Sequence, residues 1–141
     1  MSCHIGYSHQ ASNTKAFALI AEGWNELVQD GLTPDLLGIC PVSATSEVLY
    51  AVSQDSDIVG VLAWEHQRER GVFEVSLGYV EPSSRKQGVF SAMRSELLDM
   101  AKKAGASSIR FQVHPANTVA RAVLLKLNGQ VASVLYEHPV A

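Results

Sequence analysis

The chain has 141 residues and a mass of 15.2 kDa, with 47% hydrophobic and 18% charged residues, a balance that predicts one domain, 1–141, with a buried core. A net charge of −3, a pI near 5.9 and no basic stripe with interleaved aromatics argue against a nucleic-acid partner. No apolar run reaches the roughly 18 residues of a membrane span, and MSCHIGYSHQ lacks the basic and apolar regions of a signal peptide, so no membrane partner and a cytoplasmic location are expected.

In chain order, Phe17, Ile20, Trp24 and Leu27/Val28 recur at helical spacing and predict a helix over 14–31, closed by Gly31. Residues 32–46 carry Pro34, Gly38 and Pro41 and read as irregular. Strands are expected over 47–54 and 57–65, joined by Asp55-Ser56, the second apolar on both faces like a central strand. Over 71–80, Phe73, Val75, Leu77 and Tyr79 alternate with Glu74, Ser76 and Gly78, a strand with two different faces. A long helix over 86–104 follows, with the stripe Val89/Phe90, Met93, Leu97, Met100/Ala101 and Ala104, ended by Gly105. A strand over 107–114 comes next, then a helix capped by Asn117 and stopped by Asn128-Gly129, then a last strand over 130–137. The order helix, three strands, helix, strand, helix, strand makes an α/β domain with a mixed sheet.

Charge is unevenly placed. Residues 1–67 hold one basic residue, Lys15, against eight acids, 1 − 8 = −7; residues 68–141 hold ten against six, +4. Two ligand surfaces of opposite preference are one explanation, and unequal solvated faces are the other. Cys3 and Cys40 are too few for a disulfide framework and have no metal-ligand spacing, so no metal is expected.

Chemistry concentrates in VEPSSRKQGVFSAM, residues 80–93, where a strand runs into a helix. A helix start leaves four N–H groups unpaired and carries partial positive charge. Gly88 lets a ligand approach the backbone, and Arg85 and Lys86 add charge, so phosphate or pyrophosphate suits the site. No Gly-Lys-Ser/Thr follows, which excludes a Walker loop, and there is no G-x-G-x-x-G.

The stretch Arg85-x-x-Gly88-x-Phe90 after a strand ending in Val80 resembles the acyl-CoA signature Gln/Arg-x-x-Gly-x-Gly/Ala of the GNAT superfamily of N-acetyltransferases. The likeness extends over about residues 58–136 and includes Asn117 and Ala120, which resemble the family's second signature. It implies the GNAT acyl-CoA N-acyltransferase fold, a mixed central sheet that splays beside 71–80, flanked by helices, with acetyl-CoA as co-substrate in the opening. The backbone at Tyr79 and Val80 would pair with the pantetheine arm, and the Val80 N–H would polarise the thioester carbonyl. Backbone N–H groups of Arg85, Lys86, Gln87, Gly88, Val89 and Phe90 would cradle the pyrophosphate. Asn117 would reach the arm and Arg121 a phosphate. Three features depart from the pattern: Phe90 stands where the family has Gly or Ala and would hold phosphates further off; Asn128-Gly129-Gln130 replaces Gly-Phe; and 130–141 has room for one strand where most members have two. The sheet is then either truncated or completed by a partner chain, as in a homodimer.

Acetyl transfer needs a neutral amine, and an alkyl ammonium has a pKa near 10.4, so a base or a water relay helps. Glu74, six residues before Val80 and on the face opposite Phe73, Val75 and Leu77, sits where members with a glutamate base place it; a solvated strand carboxylate is the alternative. The Val80 N–H is the oxyanion donor candidate. Many members use a tyrosine seven residues after the Asn to protonate the thiolate, but here that position is Leu124. Either no side chain serves, or Tyr136 or Tyr79 does. In this family the acceptor side is built largely by the first helix and the segment after it, the acidic half, so a cationic small-molecule or protein amine acceptor fits. A non-catalytic acyl-CoA-binding or partner-binding module on the same fold is the alternative.

Overall fold

The computed structural model describes residues 3–8, 14–34, 40–43, 45–132 and 140. The elements are β1 (His4–Ser8), α1 (Thr14–Asp30), β2 (Glu47–Val52), β3 (Ile58–Gln67), β4 (Val72–Val80), α2 (Val89–Lys103), β5 (Ser108–Phe111) and α3 (Thr118–Lys126). The five strands form one sheet in chain order, antiparallel from β1 to β4 and parallel between β4 and β5. This is the expected mixed sheet flanked by helices.

Apolar strands bury both faces. Beneath α2, Leu49, Leu62, Trp64, Phe73 and Val75 pack against Val89, Met93, Leu97 and Ala101, the stripe expected from the sequence. Beneath α1, Val48, Val61, Ala63 and Leu77 pack against Ala16, Leu19 and Ile20. The central position expected for β3 holds, since Val59 to Trp64 is buried throughout, and the space left by the missing side chain at Gly60 takes the tips of Val89 and Met93. The α1 stripe is turned by about one residue from expectation: Ala16, Leu19, Ile20 and Gly23 face the sheet, while Phe17 is 50% exposed. Small residues let the helix sit close, and a Cβ on Gly23 would lie 2.8 Å from Tyr79.

Four further expectations are corrected. β1 adds a strand at the sheet edge, where Gly6 leaves room for the Tyr50 ring. α2 starts at Val89 rather than 86, because Lys86 (φ 63°) and Gly88 (φ 81°) are left-handed and end any helix there. Ser76 on β4 has no partner on β3: Ala63 pairs with Leu77 and Trp64 with Val75. This bulge turns Leu77 onto the α1 face while Phe73 and Val75 stay on the α2 face. Of the last strand expected over 130–137, residues 130–132 are not strand and the remainder lies outside the described residues. Among the described residues, no helix is long and apolar enough to cross a membrane, and no group of three or more His, Cys, Asp and Glu is placed to hold a metal.

Met93 is fully buried between α2 and the sheet. Met93→Ala should lower unfolding stability by about 2–5 kcal/mol, measured as a shift in denaturant midpoint at constant slope.

Candidate active site

The β4–β5 ladder lasts four residues, Val72–Val75 against Ser108–Phe111, and then β5 ends. β4 runs on through residues 76–80 with β3 on one edge and, among the described residues, no strand on the other. A notch results, closed at Val75/Phe111 and open at Val80. The Glu81 N–H bonds the Val59 carbonyl at 2.9 Å, and antiparallel pairs alternate, so Tyr79 and Leu77 turn their peptide groups toward β3 while Val80 and Gly78 turn theirs into the notch. Gly78 is exposed in mid-strand. Of the two residues expected to offer backbone groups, Val80 faces the notch and Tyr79 faces β3, and Gly78 joins Val80 on the notch side.

At the open end the chain makes a short 3₁₀ turn, Pro82–Ser84, stapled by the Ser83 and Ser84 hydroxyls donating to Glu81 Oε1 at 3.0 and 3.1 Å. From Lys86 to Ser91 no backbone N–H has an acceptor among the described residues, and the first helical bond runs from the Ala92 N–H to the Gly88 carbonyl at 3.0 Å. Six successive donors at a helix start, with left-handed residues at 86 and 88, form a concave anion receptor. Lys86 is exposed beside it, and Gln87 folds back to donate to the Ser83 carbonyl at 3.3 Å. Val89 is buried. The Phe90 ring lies over Gly78 on the sheet.

Arg85, expected beside the phosphates, has partners within the protein. Its Nη2 donates to both carboxylate oxygens of Glu26 on α1 at 3.0 Å, its Nε donates to the Val80 carbonyl at 2.8 Å, and its Cζ lies 5.3 Å above the Tyr79 ring. The guanidinium is thus occupied on the α1 side of the strand. Burial first, then the hydrogen bond to Glu26, pushes the Tyr79 phenol up from its ordinary range, so it stays protonated and faces α1 rather than the notch. Asn117 caps α3 by accepting the Ala120 N–H at 3.1 Å, and Arg121 Nη1 donates to the Pro115 carbonyl at 2.9 Å. Each is tied to its own turn through one atom, which leaves Asn117 Nδ2 and the other guanidinium nitrogens of Arg121 outside these two bonds. Tyr136 lies outside the described residues.

Glu74 shares the α1 face with Leu77, the bulge having moved Leu77 from the face expected of it. Glu74 Oε2 pairs with Arg70 Nη2 at 3.1 Å, and Oε1 accepts from Gln112 Nε2 at 3.1 Å. Glu65 is its direct partner across β3.

Taken together, six unpaired backbone donors at a helix start open into a slot along the β4 edge beyond β5, whose Val80 carbonyl Arg85 holds, with a carboxylate near the slot's closed end. That arrangement fits a ligand with phosphates at one end and an amide-bearing arm. The model of the acetyltransferase (GNAT) family matches residues 13–129. The chain belongs to the GNAT family. It is therefore an acetyl-CoA-dependent N-acetyltransferase, which sets aside the non-catalytic alternative. A search of curated proteins gives no match. Solved structures similar along the whole chain include an aminoglycoside acetyltransferase from an uncultured soil metagenomic sample (22% identity, 100% of both chains, TM-score 0.70). Another is AAC(6')-Iy in complex with a bisubstrate analogue of CoA (16%, 100% of this chain and 99% of that one, 0.73). A third is a ribosomal-protein-alanine N-acetyltransferase from Brucella melitensis (17%, 98% and 99%, 0.72). At these identities the likeness is one of fold.

In this GNAT chain two site residues escaped the sequence reading. Gly78 had a signal, since a lone glycine inside a strand marks a bulge or a close backbone approach. Glu26 had none beyond the acidity of its half. Gly88→Asp should weaken acetyl-CoA binding about 100-fold or more in calorimetry, because a carboxylate would face the phosphates. The circular dichroism spectrum should stay native: the space is open, and an aspartate at this left-handed φ costs roughly 1–2 kcal/mol, less than a typical domain's stability; parental affinity would place the phosphates elsewhere.

Proposed function

We propose that the chain transfers acetyl from acetyl-CoA to a primary amine of a cationic acceptor. The observation that carries this is the free edge of β4 from Ser76 to Val80 leading into the six-donor turn. Acetyl-CoA supplies a thioester carbonyl and a thiol leaving group. With phosphates at residues 86–91, an extended arm of about 15 Å covers four to five strand residues at roughly 3.3 Å each. Its end then falls near Gly78 and the bulge, not at Val80, which sits beside the turn. We accordingly assign the carbonyl-polarising N–H to Gly78, and to Val80 a hydrogen bond along the arm.

Glu74 is the general base, directly or through water. Its ties to Arg70 and Gln112 are surface contacts, and such an ion pair is worth about 0–1 kcal/mol, little enough for an arriving ammonium to displace. A cationic acceptor is supported by Glu65 opposite Glu74, and by Glu22 and Glu26 near Tyr79 on the same face. Release of the thiol needs no side-chain acid in this scheme: Leu124 occupies the usual tyrosine position, and a thiol with pKa of about 8.5 leaves readily as thiolate.

Glu74→Gln keeps the shape and removes the basicity. Turnover at pH 7 should fall about 10²–10⁴-fold while acetyl-CoA affinity holds. Raising the pH neutralises the free amine, so the loss should shrink toward pH 10. Parental turnover at pH 7 would return Glu74 to the solvated strand surface.

We also propose a homodimer formed at the β5 edge. β5 has no outer partner among the described residues, and Val119 and Leu125 on the neighbouring α3 are 76% and 54% exposed. Light scattering should give twice the 15.2 kDa chain mass; a monomer at high concentration would overturn the dimer.

A further inference from the structure

Phe90 occupies the second position of α2, and its side chain spans the notch on the α2 side. A Cβ added to Gly78 would lie 3.3 Å from Phe90 Cε2, so the ring fills the space that a side chain at 78 would take on β4. The same ring stands 6.1 Å from that of Phe111, the last paired residue of β5, with the planes at 51°. One ring therefore touches both lips of the notch beside its closed end. It is half-buried against the α2-side core, with Leu62 packed on the same side of Gly78.

We propose that Phe90 is a specificity-determining residue that limits the acyl group to about two carbons. This rests on the reading that the notch holds an acyl-CoA. From a thioester at Gly78, a longer chain has three ways to go. The α2 side is closed by Phe90 against Phe111. The apex is closed by Val75, 3% exposed and paired to β5. The α1 side is walled by Leu77, 4% exposed, and beyond it opens onto Glu74, where the amine must enter. Only displacement of the Phe90 ring makes room without blocking the acceptor. The glycine at 78 and the phenylalanine at 90 are a matched pair: a bulky residue on the helix is admitted because the strand has no side chain.

The test measures dissociation constants of CoA, acetyl-CoA, butyryl-CoA and hexanoyl-CoA by calorimetry without acceptor, so that no turnover is involved. In the parent, affinity should fall as the chain lengthens beyond acetyl. In Phe90→Ala the ratio of hexanoyl-CoA to acetyl-CoA affinity should rise about tenfold or more, the scale on which pockets discriminate a methylene or two. Phe90→Leu, which keeps most of the packing, should give a smaller rise in the same direction and carries the test if Phe90→Ala does not fold. A parent that binds hexanoyl-CoA as tightly as acetyl-CoA, or variants that alter all four ligands equally, would overturn the proposal while leaving the notch as the site. A parent that binds none of the four would overturn the notch itself, and the proposal with it.

Discussion

The early end of β5 is the constraint on which the site depends. A strand in mid-sheet normally spends every peptide group on its neighbours, and a buried peptide group left unpaired costs about 1–3 kcal/mol. β4 keeps β3 along its length but loses β5 after Val75, so Gly78 and Val80 turn donors and acceptors into a slot rather than a ladder. Such an edge is a template for anything extended that carries amides. The same shortfall leaves Gly78 exposed, admits the Phe90 ring beside it, and brings the helix start of α2 to the slot's mouth. The slot, the backbone groups that face it and the turn at its mouth thus follow from one missing stretch of strand pairing.

Much of this was legible in the sequence, and the parts that were not have physical reasons. Long periodic elements came through: the α2 stripe, the two-faced buried β3 and the Asn117 cap each rest on local chemistry that the fold does not override. β1 did not, because HIGYS is short and its strand pairing is set by β2, far along the chain. The start of α2 was misplaced by three residues because left-handed φ at Lys86 leaves no mark in a lysine. The bulge at Ser76 was invisible for a similar reason. Alternation carried Leu77 onto the face of Val75, whereas one extra residue on β4 moves everything beyond it to the other face.

For the candidate site, the sequence drew attention to the turn and to side chains that the structure ties to partners within the protein. Cations close to a proposed anion site suggested ligands, yet Arg85 and Arg121 both find partners within the protein, and Asn117 spends its side-chain oxygen on its own helix. Partners of that kind are set by tertiary contact: Glu26 is 59 residues from Arg85. The backbone donors were the safer expectation because they depend on the chain's path alone.

The Arg85–Glu26 contact also gives the charge asymmetry a structural meaning. The acidic half contributes α1 and the basic half contributes the turn, and the two meet at the mouth of the slot. Arg85 holds the Val80 carbonyl with Nε and α1 with Nη2, and covers the Tyr79 ring, so one side chain fixes the strand end, the turn and the helix relative to one another. Both charged partners are about 40% exposed, so solvent screening makes the pair modest in energy. Its geometry is another matter, since Nη2 on both carboxylate oxygens and Nε on the Val80 carbonyl fix the guanidinium's orientation as well as its distance. An arginine used in this way does not need to touch a phosphate to matter for binding one. It keeps the last peptide of β4 in line with the donors of the turn, and an anion receptor built from backbone N–H groups works only while that line is held.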